Sequence, residues 1–96
     1  MEIERNGSGL RLHGELDAAV APELEVALRE ALMETEGGFV LDLSGLEFMD
    51  SGGINALLQA RALLAREERT LSLICPPGPA RRVLEIAGVT DLFTLV

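Results

Sequence analysis

A short, almost uninterrupted apolar run, Phe39-Val40-Leu41-Asp42-Leu43, stands between two stretches whose apolar residues recur at helical spacing. Such a run reads as a strand buried on both faces, and helices on either side of it are what a parallel sheet needs to connect its strands. Upstream, Leu24, Ala27, Leu28, Ala31 and Leu32 fall at i, i+3, i+4, i+7 and i+8, with Glu23, Glu25, Arg29, Glu30 and Glu34 pointing away. Pro22 suits the first helical turn, Glu23 and Glu25 favour the positive end of the helix dipole, and Gly37-Gly38 ends the element. Downstream, Ser44-Gly45-Leu46-Glu47-Phe48-Met49 reads as a loop leading to Asp50-Ser51-Gly52-Gly53. A second helix follows, with Ile54, Leu57, Leu58, Ala62 and Ala65 on one face and Arg61 at its rim.

The rest of the chain continues the alternation. Ile3 precedes polar Asn6-Gly7-Ser8-Gly9, and Leu10 and Leu12 then alternate with Arg11 and His13. This predicts two short strands in a hairpin, ended by Gly14-Glu15-Leu16-Asp17. Arg66-Glu67-Glu68-Arg69 is a solvated helix end, and Thr70-Leu71-Ser72-Leu73-Ile74-Cys75 is another strand. Pro76-Pro77-Gly78-Pro79 can continue neither kind of element. Ala80, Val83, Leu84 and Ala87 mark a third short helix with Gly88 as its cap, and Leu92-Phe93-Thr94-Leu95-Val96 reads as a closing strand. The order β-β-α-β-α-β-α-β assigns the chain to the α/β class, with a central mixed sheet flanked by helices. With 96 residues, 48% of them hydrophobic, there is material for one core, so a single domain spanning 1–96 is expected.

Charge and cysteine content exclude several functions. Asp and Glu outnumber Lys and Arg by 16 to 8, for a formal net charge of -8. Without a basic stripe, neither nucleic acid nor anionic membrane is an expected ligand. Every basic residue is arginine, so no lysine Schiff base and no Walker lysine is available. The one histidine, His13, and the one cysteine, Cys75, lie too far apart in sequence to make the usual zinc sites. A lone cysteine also excludes an internal disulfide and points to a reducing compartment. No apolar stretch approaches transmembrane length and the amino terminus shows no signal pattern, so a cytoplasmic protein is expected.

Ligands of open α/β sheets gather beyond the carboxyl ends of the strands, where the segment between Leu43 and Ile54 lies. It sets Ser51 at the start of a helix, beside Asp50 and before Gly52-Gly53. Free N–H groups and the positive dipole end would accommodate a phosphate on that serine, and the glycines would let another backbone approach. Helix capping by Ser51 is the commoner explanation, although Ile54 occupies the place where a capping box needs Glu or Gln. Asp50-Ser51-Gly52-Gly53 also matches the tetrapeptide around the nucleophile of trypsin-like proteases, but those are far longer paired β-barrels. Met49 replaces the first glycine of a nucleophile elbow, so no catalytic residue is assigned. Asp17, Asp42 and Asp50 could cluster at one sheet edge as an acid pair or a magnesium site, although turns and solvated ends are the commoner roles. Neither metal nor cofactor is expected. Cys75 reads as inert core, and Met49, beside Phe48, either as part of a partly exposed apolar contact patch or, equally, as simple packing.

Three blocks then carry a resemblance. They are Gly14-Glu15-Leu16-Asp17, the run Val40-Leu41-Asp42-Leu43-Ser44-Gly45-Leu46-Glu47-Phe48-Met49-Asp50-Ser51-Gly52-Gly53, and Arg82-Val83-Leu84-Glu85-Ile86-Ala87-Gly88-Val89. In order and spacing they strongly resemble the STAS domain, and in detail the stand-alone anti-sigma-factor antagonists. The likeness spans almost the whole chain, and the central block is the specific one. It implies a protein that binds an anti-sigma factor, itself a serine kinase of the histidine-kinase-like ATPase type, and so releases a sigma factor. It implies phosphorylation of the serine after the motif aspartate, here Ser51, with release of the partner and restoration by a PP2C-type phosphatase. The implied partner surface comprises Asp17, Met49, Asp50, Ser51, Gly52, Gly53 and Asn55.

The chain departs from the family pattern in two places. Gly52 stands where the family commonly has serine, threonine or alanine, which would loosen the helix start. The chain also stops at Val96, where the family usually continues into a further helix, and a monomer or weak dimer is expected. The competing reading is a STAS module of a stress-signalling scaffold, a lipid-transport complex or an anion transporter; a usable acceptor at Ser51 favours the antagonist.

Overall fold

The amino-terminal hairpin sets one edge of the sheet. β1 (Glu2–Asn6) and β2 (Gly9–Leu16) pair antiparallel with Asn6 opposite Gly9, leaving Gly7-Ser8 as a two-residue turn. Gly7 has a φ of +61°, the left-handed region that glycine enters at little cost in such turns. From β2 onward each connection crosses over through a helix, so β3 (Phe39–Met49), β4 (Leu71–Ile74) and β5 (Thr94–Leu95) add in parallel. The computed structural model describes residues 1–96 throughout. It has the expected element order, with a mixed sheet ordered β1-β2-β3-β4-β5 and three helices, α1 (Ala21–Met33), α2 (Ser51–Arg66) and α3 (Pro79–Ala87).

One sheet face is leucine-rich and fully covered. Leu10 and Leu12 of β2, Phe39, Leu41 and Leu43 of β3, and Leu71 and Leu73 of β4 are buried together with Leu24, Leu28 and Ala31 of α1 and Leu57 and Leu64 of α2. Burial of each such leucine is worth roughly 1.5–3 kcal/mol, so this layer is the main stabilising term. α1 packs on α2 and the hairpin, α2 on β3 and β4, and α3 on β3.

Several elements differ from the sequence reading. β3 runs on through Ser44–Met49, the segment expected to be a loop. Gly9 pairs with Val40 and Leu16 with Met49, so β3 advances nine residues while β2 advances seven. Two extra residues therefore bulge from β3 and break its alternation. At the first bulge Gly45 passes so close to β2 that a Cβ would lie 2.6 Å from His13 Nδ1 and 2.8 Å from the Leu12 carbonyl oxygen. Ser44 is turned outward there, and its N–H and hydroxyl both donate to Asp42 Oδ1, at 2.9 and 2.6 Å.

α1 ends at Met33, before the glycine pair, and Gly37 with φ +75° serves the turn into β3 instead. Arg69 closes that corner rather than lying in solvent. Its Nε donates to the Gly37 carbonyl at 2.7 Å, Nη1 to the Leu32 carbonyl at 3.1 Å and Nη2 to Thr35 Oγ1 at 2.8 Å. α2 is rolled so that Ala56, Ala60 and Leu64 face inward, while Ala62 and Ala65, expected on that face, are exposed. Pro79 opens α3 and Gly88, with φ +72°, closes it as expected. The closing segment is a single 3₁₀ turn (Thr90–Leu92) before the two residues of β5, shorter than the strand predicted over Leu92–Val96.

Candidate functional site

β2 and β3 end side by side, with Leu16 opposite Met49, so Asp17 and Asp50 leave the same edge of the sheet. Each carboxylate turns back on its own backbone. Asp17 Oδ1 accepts from the N–H groups of Ala19 at 3.0 Å and Val20 at 3.3 Å, which orders the entry to α1. Asp50 is extended, with φ -122° and ψ -167°, and its Oδ1 accepts from the N–H of Gly53 at 3.1 Å. An aspartate in this place satisfies an orphan donor and puts negative charge at the positive end of the dipole, worth about 1 kcal/mol. The cap of α2 is therefore Asp50 and not Ser51, and the helix begins at Ser51 with only Asp50 between it and β3. Ser51 is the first helical residue, exposed, with its hydroxyl left out of the capping. Asn55, also exposed, lies one turn further along the same face.

The two glycines are set by contact. A Cβ on Gly52 would lie 2.6 Å from Ala18 N and 2.9 Å from Ala18 Cβ. A Cβ on Gly53 would lie 2.5 Å from Met49 Cγ and closer still to the Leu16 carbonyl oxygen. The first turn of α2 thus rests on the end of β2 and on the loop Asp17–Val20, with no room for side chains between them. Gly52 is a point of tight packing and not the loosened helix start that its departure from the family pattern suggested.

Not all the expected residues reach the surface. Met49 is only 2% exposed and belongs to the core, so of the two readings open for it packing holds and the contact patch does not include it; Phe48, one residue earlier, is 46% exposed. Gly53 is buried as well. The structure brings together exposed Ser51 and Asn55 with half-buried Asp17, Asp50 and Gly52, and supports them from beneath with Met49 and Gly53. Ala18, which completes this surface through its contact with Gly52, carried no signal in the sequence beyond the glycine that faces it.

The acid cluster also fails. Asp42 pairs with Arg11 in the body of β3, well before the strand end that carries Asp50, and no group of three His, Cys, Asp or Glu side chains is placed to hold a metal ion. Burial works to raise the Asp42 pKa. The two hydrogen bonds from Ser44 and the charges of Arg11 and His13 outweigh it, leaving the carboxyl below its ordinary value. Arg11 Nε stands 3.7 Å from Asp42 Oδ2, and His13 Nε2 stands 3.3 Å from Glu4 Oε1 within the hairpin. Cys75 is buried, as expected, and burial pushes its thiol up against the opposing charge of Arg81, whose Nη1 donates to the Cys75 carbonyl at 2.8 Å. No helix is long and apolar enough to cross a membrane.

Comparison with known proteins sets this geometry among relatives. The family model described as "Mlab, STAS domain" matches residues 1–96. An anti-sigma F factor antagonist from Paenibacillus polymyxa is 29% identical over 96 residues, covering 99% of this chain and 82% of that protein. An anti-sigma F factor antagonist from Lysinibacillus sphaericus is 33% identical over 89 residues, covering 91% of this chain and 75% of that one. Among solved structures, an anti-sigma factor antagonist from Mycobacterium paratuberculosis superposes with a TM-score of 0.74 at 27% identity, covering 98% of this chain and 81% of the other.

Proposed function

The chain belongs to the STAS domain family, and from that premise we propose that it is an anti-sigma-factor antagonist, switched off by phosphorylation of Ser51. It is a regulatory binding protein and not an enzyme. Its partner is an anti-sigma factor that is also a serine kinase of the histidine-kinase-like ATPase type, and binding that partner releases a sigma factor for transcription. A phosphate on Ser51 dismisses the partner until a PP2C-type phosphatase removes it. The exchange takes place in the cytoplasm, with the chain as a monomer or weak dimer.

The observation that carries this reading is the placement of Ser51. It is the exposed first residue of α2, its hydroxyl is not needed for capping, and Asp17, Asp50, Gly52 and Asn55 surround it on one surface. Phosphorylation there adds about -1.5 to -2 charges beside Asp50, on a chain already at -8. In an interface that charge must be desolvated next to whatever receives the hydroxyl. A loss of about 2.7 kcal/mol lowers affinity a hundredfold, so repulsion suffices without a change of fold.

Ser51→Glu places an acid at the amino end of a helix, where the dipole favours it. The variant is expected to keep the circular dichroism spectrum of the wild type. With Ser51→Ala and Ser51→Glu baits in host lysate containing ADP, a small ATPase of the kinase type is expected on the alanine bait and absent from the glutamate bait. The same proteins on both baits, or membrane-transport components alone, would overturn the switch. They would point to a STAS module of a scaffold or transport complex instead.

A further inference from the structure

The second bulge of β3 decides which way Phe48 points. From Gly14 to Glu15 β2 advances one residue, while β3 advances two, from Leu46 to Phe48. In unbroken register Phe48 would lie opposite Leu16, on the leucine-rich face, and Met49 would fall beyond it. With Glu47 as the extra residue, Met49 takes the place opposite Leu16, and Phe48 pairs with Glu15 on the other face of the sheet. Phe39 and Phe93 are buried, so Phe48 is the exposed aromatic side chain of a chain without Trp or Tyr. A local backbone irregularity thus holds an apolar ring in water at the sheet end that leads into α2. Ser51 follows three residues later, a reach of at most about 10 Å. Both fit well within the roughly 800 Å² that a standard interface takes from each partner.

The carboxylates around that ring narrow the choice of what covers it. Glu15 and Glu47 are exposed and Asp17 and Asp50 half-buried, and none of the four belongs to an ion pair. A second copy of the chain would bring the same four carboxylates against these, and like charges across an interface repel. An apolar pocket rimmed by Lys or Arg fits both features, since it takes the ring out of water and offsets the acids.

We propose that Phe48 anchors the anti-sigma-factor interface, seated in an apolar pocket of that partner whose rim is basic. The proposal rests on the Ser51 reading and adds a second contact to it: Ser51 sets whether the partner stays, and Phe48 how tightly it is held. The ATPase captured on the Ser51→Ala bait, once purified, serves as the probe in binding kinetics with ADP present. Phe48→Ala is expected to keep the wild-type circular dichroism spectrum and to bind about tenfold more weakly or worse, through faster dissociation. Phe48→Leu, which keeps apolar bulk, is expected to lose less. Glu47→Lys, a change on an exposed side chain, is expected to slow association, with the difference shrinking at high salt. Wild-type affinity of Phe48→Ala, or wild-type association by Glu47→Lys, while Ser51→Glu still loses the ATPase, would overturn the anchor and leave the switch standing. No ATPase on the Ser51→Ala bait, or equal binding by Ser51→Ala and Ser51→Glu, would overturn the switch and the anchor with it. Sedimentation in which wild type self-associates and Phe48→Ala does not would overturn the proposal in favour of a second copy.

Discussion

At the scale of single residues, the start of α2 shows how a helix end can be fixed while a hydroxyl is kept free. Asp50 takes the capping work, so Ser51 is free for chemistry, and two glycines let the turn lie directly on the neighbouring loop. These roles differ in cost. Asp50→Ala removes one capping bond and is expected to lower stability by about 1 kcal/mol. Gly53→Ala drives a methyl group into the Leu16 carbonyl and Met49, which cannot yield without moving β2 or β3. It is expected to cost about 3 kcal/mol or more, as overpacking of a rigid core does. Urea denaturation of both variants checks the order, and a Gly53→Ala protein as stable as Asp50→Ala would contradict the contact.

At the scale of elements, periodicity and punctuation carried most of the fold. The face of α1, the hairpin turn at Gly7 and the cap at Gly88 were all legible, because each depends on residues within one turn of one another. What depends on a neighbouring strand was not. Ser44–Met49 looked like a loop because its two bulges break the alternation that marks a strand, and those bulges exist only relative to β2. The same shift of phase buries Met49, which the sequence left open between contact patch and core, and leaves Phe48 exposed. Arg69 looked solvated because its three acceptors lie more than thirty residues away in the chain. Ser51 was legible from its place at the start of a helix beside Asp50, whereas Asn55, and Asp17 as a partner contact, were legible only through the family resemblance. Arg69→Ala is expected to lower stability by about 2 kcal/mol, since a charged donor then leaves three partners. Hydrogen exchange should quicken at Thr35 to Gly38 before it does in the strands, and unchanged exchange there would contradict the clamp.

At the scale of the whole molecule, one carboxyl links stability to pH. The Asp42 pKa is lowered in the fold, so its ionised form contributes stability above its unfolded pKa of about 3.9 and loses it as pH falls through the lower folded value. Asp42→Asn is therefore expected to be about 2 kcal/mol less stable than wild type at neutral pH. The gap should narrow below about pH 4; thermal melts at both pH values check it, and a constant gap would contradict the assignment. The proposed phosphate on Ser51 would act at this scale too, since it would take an acidic chain of net charge -8 further from neutrality.

The central claim is that one exposed hydroxyl controls partner binding, and the most direct measurement is to locate the phosphate. The chain and its Ser51→Ala variant would each be incubated with ATP and the ATPase captured on the alanine bait, then digested and sequenced by tandem mass spectrometry. The account predicts a single phosphate, on Ser51, and an unmodified variant. A phosphate on any other residue, or one that persists in Ser51→Ala, would contradict it.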